Sequence, residues 1–534
     1  MATNLSKHLV LVLLILVLGA CNAPAPNIVA TATVTLVPTD LPAVPAPTWT
    51  ATAEPPTATA TRVIPTATFT PLPPTITYTP RPPTATATRT LPPITPTPVS
   101  IPPITSAEAS FSKRPIKYFG SAPLAIKLDS NDGLYYYIQT DASFTAAQLR
   151  SYTNNADVIA MTNRGNGFFD AILPHSFVTR GYTAANANHN AIGYLDLFQG
   201  NAQQGQFNVW GNVIDAQVPK VTVQTVAPQV YKTPHLVNLV IPSLNRANPD
   251  VRVVTQQFYK FFGDNYDFLG VVFIPGRNEN RYFGGTKNQV QGIGKAQFDQ
   301  SRAFGSAGRL LGIIHYPIVD IFDMAEQGSL HELAHNWINA LSGPKLPIMP
   351  SGLVHWPISS LATGIIGTQC CGGQGVMFPW RFTKLEGDAY RTTEDSVAPN
   401  SKYTDMELYL MGMLPADQVA PHFIFANQDQ KLCDGCVLRG AVPFTVDQVI
   451  AAYGPRVPAY GQAQTKFRVA IVVASPTPLS QDEMMLLDYF AARGSLKTPV
   501  NFSSGFLKGI ANPFYVATGG RGCLIMTIDA DGGC

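Results

Sequence analysis

The sequence predicts three regions in series: a disordered Thr/Pro-rich stalk, a small β-rich domain, and a larger α/β (α+β) catalytic domain. Three observations predict them. More than half of residues 31–100 are Thr or Pro, with few charges and no apolar period that would bury a core. Residues 107–230 carry short alternating runs, GLYYYIQT and QFNVWGNVIDAQV among them, broken often by turn residues. Beyond about His235 helical and strand patterns alternate, as in a sheet with helices packed on it.

The N-terminus has its own signature. Lys7 precedes an apolar run from Leu9 to Leu18, and small residues lead to Cys21. A basic head and an apolar stretch too short to span a bilayer comfortably make a secretory signal. Leu18-Gly19-Ala20-Cys21 resembles the bacterial lipobox, which implies that Cys21 becomes the lipid-modified N-terminus. The expected divisions are therefore 1–20 signal peptide, 21–106 stalk, 107–232 β-rich domain and 233–534 catalytic domain. The expected location is the extracellular face of the cell envelope, with the membrane as a partner through Cys21.

Composition narrows the function classes. A net charge of +2 and a charged fraction of 13% argue against nucleic acid as a partner. Besides Cys21 there are Cys370, Cys371, Cys433, Cys436, Cys523 and Cys534, an even number that favours disulfides outside the cytoplasm. Cys433-Asp-Gly-Cys436 could be half of a zinc ribbon, but no second CxxC follows, which favours a local disulfide.

Within the larger domain, VRVVTQQFYKFFGDN reads as a helix stopping at Gly263-Asp264-Asn265. YDFLGVVFIP, NQVQGIG and GRLLGIIHYP read as strands. A helix is then expected from Phe322 to Leu341, with apolar residues at Leu330, Leu333, Ala334, Trp337, Ile338 and Leu341 and a stop at Ser342-Gly343-Pro344. TKFRVAIVVASPTPLSQDEMMLLDYFAARG reads as a strand and a capped helix, completing the sheet or closing the far side of the cleft.

The motif HELAHNW, residues 331–337, lies on the expected helix. His331 and His335, four apart, stack on one face, and two imidazoles so placed can reach one zinc ion. Glu332, one step around, can accept a proton from water beside the metal. HExxH resembles the zincin superfamily of zinc metallopeptidases. The resemblance implies a zincin-like fold over about residues 235–420, Zn2+ as cofactor, His331 and His335 as ligands, Glu332 as general base and a peptide or protein as substrate. The edge strand that binds substrate in that family would fall on residues 288–296.

The third ligand departs from the compact metzincin pattern, which needs Gly at 338 and His at 341 where this chain has Ile338 and Leu341. No Asp or Glu occurs between His335 and Glu386, so His355, after a Gly/Pro-rich turn that can fold back over the helix, is the first choice. Trp356 would wedge it in place. Glu386, Asp388, Asp405, Glu407 and His315 stay open, and Cys370-Cys371 are better read as oxidised. DMELYLMGMLP resembles the metzincin Met-turn, with Met411 as the methionine beneath the metal and Tyr409 as a transition-state hydrogen-bond donor; both residues also fit a plain core. The expected function is a lipid-anchored zinc metallopeptidase. The rival from another class is a non-catalytic surface lipoprotein binding an extracellular protein or glycan.

Overall fold

The computed structural model describes residues 116–529, apart from 181, 183–187, 277–280, 319–323, 326, 339–340, 342–344, 350–353, 371–373, 378–379, 395–400 and 505–506. The expected signal peptide, Cys21, the stalk, the Gly343 stop and Cys534 lie outside the described residues. What is described is a mixed α/β chain made mostly of strands. None of its helices is long and apolar enough to cross a membrane.

The β-rich expectation holds for the first part. Ile116–Ala122, Leu134–Thr140, Phe168–Leu173 and Thr162–Gly165 form one antiparallel sheet. Ile126–Lys127, Ala202–Ile214, His189–Gln199, Ala146–Ser151 and Val158–Ala160 form a second. Alternating residues of both sheets, including Ile138, Phe169, Leu149, Leu195 and Val209, share one core, as packed sheets require. That core stops at Val213. The strands Gln224–Ala227 (β1) and Val230–Lys232 (β2), within the expected 107–232 region, pair into the next sheet instead. The hairpin joins the large sheet because its partner Leu236–Val240 (β3) is already committed there.

The large sheet continues with Phe268–Phe273 (β4), Tyr282–Gly285 (β5), Gly312–Tyr316 (β6), Lys466–Ser475 (β7) and Cys523–Ile525 (β8). Its order is β1-β2-β3-β7-β4-β6-β5, with β8 also on β7. The pairs β3–β7, β7–β4 and β4–β6 are parallel, and β5 runs antiparallel to β6 at the edge. The strand β7 completes the sheet by filling its centre. Its alternation explains why. Phe467, Val469, Ile471 and Val473 enter the main core, while Ala470, Val472 and Ala474 enter the core on the opposite face. A strand apolar on both sides is stable only with both faces covered.

The covering helices come from each side of the chain. Val251–Tyr259 (α1), capped by Asp250 accepting from the Arg252 amide, presents Val254 and Phe258 to one face. The helices Gln327–Ala334 (α2), Asp405–Met411 (α3) and Gln481–Arg493 (α4) contribute to the core on the other. The two regions meet where the Leu124 amide donates to Glu483 of α4 at 2.7 Å and Lys127 pairs with Asp482 at 2.8 Å.

Two local expectations change. NQVQGIG is not a continuous strand: Lys287–Asn288 pairs with Phe298–Asp299, Gln291 makes an isolated bridge to Val457, and the chain turns through Gly292 and Gly294 at φ +76° and +75°. That left-handed backbone suits glycine and breaks a ladder. The helix expected over Phe322–Leu341 is described as the shorter α2. After Ala334 the amides of His335, Asn336 and Trp337 bond three residues back, to Glu332, Leu333 and Ala334. The last turn has tightened as helix ends often do. The apolar positions Leu330, Leu333, Ala334, Trp337, Ile338 and Leu341 are all buried.

Candidate metal centre

Helix α2 is seated by its apolar stripe. Trp337 meets Phe268 of β4 edge-on at 6.0 Å and Phe467 of β7 at 5.2 Å between ring centres. Gly328 lets the other side approach β5, because a Cβ there would lie 2.0 Å from the Arg281 guanidinium. Lys295 ties the tightened turn, donating to the Asn336 carbonyl at 3.2 Å while its ammonium lies over the rings of Phe283 and Phe298. Burial lowers that ammonium to about 8.

This seating presents His331 and His335 on one side, and the segment after residue 353 folds back over them. Trp356 is buried, pairs with Thr368 and donates its amide to the Gly367 carbonyl at 3.3 Å. Its neighbour His355 is thereby held against α2. The Nε2 atoms of His331 and His355 lie 3.0 Å apart, and those of His335 and His331 3.2 Å. One donor atom from each of His331, His335 and His355 lies within 4.8 Å of the others, and all three residues are buried. Nitrogens bound to one tetrahedral zinc at 2.0–2.1 Å stand about 3.3 Å apart, so the donor set fits such an ion with small shifts.

The electrostatics also fit. His331 Nδ1 bonds the Ile365 carbonyl at 3.0 Å, which places the proton on Nδ1 and turns the Nε2 lone pair toward the other two rings. Burial, with the positive charge of Arg281 adding to it and the Ile365 bond opposing, brings His331 down to about 4. Burial and then the neighbouring His331, His355 and Lys295 charges hold His335 well below its ordinary value. Neutral imidazoles are the form that binds metal. Glu332 lies between the two helix histidines in sequence and is also buried.

Other expected residues fall elsewhere. His315, on β6, stacks on Tyr282 with ring centres 4.0 Å apart. Asp405 pairs with His422 at 2.6 Å, and Asp388 accepts the Gly440 amide at 2.9 Å. Glu386 is exposed. Met411 is buried in the main core at the end of α3, just before the left-handed Gly412, and its carbonyl accepts from Arg456. The Tyr409 hydroxyl accepts the Arg456 amide at 3.3 Å, and burial raises it. Cys433 and Cys436 form the local disulfide; Cys523 is also disulfide-bonded, and the sulfur chemistry of Cys370 and Cys371 falls outside the described side chains.

Glu407, open as a third ligand in the sequence, is not among the clustered donors, and sequence reasoning missed how it supports the site. Glu407 is fully buried and reaches both the Trp356 indole and the Ile366 amide. The spacing Thr404-x-x-Glu407 marks a helix start and says nothing of a loop elsewhere in the chain. Compared with protein families, curated proteins and solved structures, the chain matches none.

Proposed function

We propose that the domain is a zinc-dependent peptidase of zincin type. The observation that carries the reading is the convergence of His331, His335 and His355 on one point, with Glu332 adjacent to the first ligand on the same helix. Three imidazoles leave a fourth position for water, the pattern of a catalytic site and not of a closed structural one. When bound, zinc supplies Lewis acidity and makes water a nucleophile at neutral pH.

The chain's own residues then have defined tasks. Glu332 accepts a proton from the attacking water and returns it to the leaving amine. The antiparallel edge strand β5 runs beside α2, with Arg281 just before it lying against Gly328, and an extended peptide can add to such an edge through main-chain hydrogen bonds. In this reading β5, and not residues 288–296, is the substrate strand. Met411 and Tyr409 keep the roles of metal floor and transition-state donor only as extensions of the same resemblance. Cys21 anchors the enzyme to the envelope surface.

The test is hydrolysis of a generic unfolded protein substrate by the purified chain, with and without a chelator. Cleavage that is lost on chelation and restored by zinc supports the proposal. Cleavage insensitive to chelator, or none from protein carrying one zinc per chain, sinks it.

A further inference from the structure

A buried carboxylate behind the histidines connects two of the three. Glu407 stands on α3, far in sequence from all of them, and is fully enclosed. Its Oε1 accepts the Trp356 indole N–H at 3.0 Å and the Ile366 amide at 3.2 Å. Its Oε2 accepts the Thr404 amide at 2.8 Å, and a bond from the Ile365 backbone adds to these. Burial raises its pKa to about 7 against the pull of those four donors. Gly364 leaves the room it needs, since a Cβ there would lie 2.2 Å from Oε2.

Each donor leads to a candidate ligand. Trp356 follows His355 directly, so the indole bond sets where the His355 backbone stands. Ile365 supplies the carbonyl that His331 Nδ1 bonds at 3.0 Å, and Glu407 holds that same peptide from its amide side. One side chain therefore couples the arm bearing His355 to the hydrogen bond that orients His331. A capping glutamate needs only its own helix start, here Thr404. Nothing about capping calls for Trp356 or Ile366.

We infer that Glu407 is a positioning residue of the metal site, holding the His355 arm and the Ile365 carbonyl in register so that the three imidazoles converge before metal arrives. This rests on the proposed zinc site. Orienting partners of this kind are worth roughly 10–100-fold in metal affinity.

The experiment measures zinc affinity by competition with a chromogenic chelator, and the visible spectrum of the cobalt-substituted protein, for wild type, Glu407→Gln and Trp356→Phe. Glutamine keeps the shape but turns an N–H toward N–H donors. Phenylalanine removes the indole N–H and some buried volume, and leaves the carboxylate itself intact. Both variants should bind zinc more weakly, Glu407→Gln by roughly 10–100-fold, and the cobalt spectrum should shift as the ligand geometry relaxes. The double variant should lose less than the product of the two single losses, because both cut one connection. If Glu407→Gln does not fold, Trp356→Phe alone decides. Zinc affinity within about twofold of wild type and an unchanged cobalt spectrum in the folded variants would overturn the inference, whatever their thermal stability. Wild type that binds no zinc would instead overturn the proposed function, and the inference with it.

Discussion

The imidazole of His331 and the carbonyl of Ile365 meet at 3.0 Å across 34 residues of chain. That bond fixes which nitrogen of His331 faces His335 and His355. It makes the loop after the helix part of the histidine cluster. In the proposed function, the groups that would hold a metal are distinct from the group that would do chemistry.

Under the proposal Glu332 takes the second role. Glu332→Gln should lower hydrolysis by roughly 10²–10⁴-fold, the usual worth of a general base, with zinc content unchanged at one per chain by elemental analysis. Loss of metal together with activity would reassign Glu332 to coordination.

The same proposal gives His355 the first role. His355→Ala should lose zinc on dialysis against a mild chelator, by more than the roughly 10–100-fold that an outer partner is worth. Glu386→Ala and Asp405→Ala should retain it, since Glu386 is exposed and Asp405 is engaged with His422. Retention by His355→Ala with loss in either carboxylate variant would give the third position to a carboxylate.

Stability of the metal-free protein should depend on pH through two opposing groups. His331 lies at about 4 when folded and His335 well below 6.5. Their contribution is complete above 6.5 and is lost as pH falls, because the unfolded chain takes up protons that the folded one refuses. Glu407 is raised from 4.5 to about 7, so its contribution is present below 4.5 and fades as pH climbs to 7. Glu407→Gln removes only the second effect. Thermal midpoints between pH 4.5 and 7 should therefore rise more steeply in the variant, and parallel curves would refute the assignment.

Gly364→Ala presses a methyl group onto Glu407, whose four hydrogen bonds leave it nowhere to move. Overpacking of this kind costs about 1–3 kcal/mol, measurable by urea unfolding, and zinc affinity should fall with it. A change below about 0.5 kcal/mol, the range of an ordinary surface substitution, would mean that the loop yields freely.

Cys21→Ser tests the anchor. The variant should appear in the soluble fraction or remain unprocessed, because acylation needs the thiol. A processed variant still sedimenting with membranes would place the anchor in another segment.

Local chemistry alone determined much of this protein. The helix Val251–Tyr259, the strands Phe268–Phe273 and Lys466–Ser475, the four-residue spacing of His331 and His335, and the Cys433–Cys436 closure all follow from residues close in sequence. Periodicity, capping and short loops act over a few positions and can be read there. The tertiary structure decided what depends on distant partners. Lys466–Ser475 lies between β3 and β4 because only there are both of its apolar faces covered. Gln224–Lys232 joins the large sheet because β3 offers it an edge, and Gly292 and Gly294 turn residues 288–296 out of that sheet. Glu407 was legible only as one carboxylate within reach of the helix; that it closes the start of α3 and grips Trp356 and Ile366 follows from packing that brings α3 beneath the histidine loop. A buried carboxylate must find donors wherever the fold supplies them, and no spacing rule along the chain says where that will be.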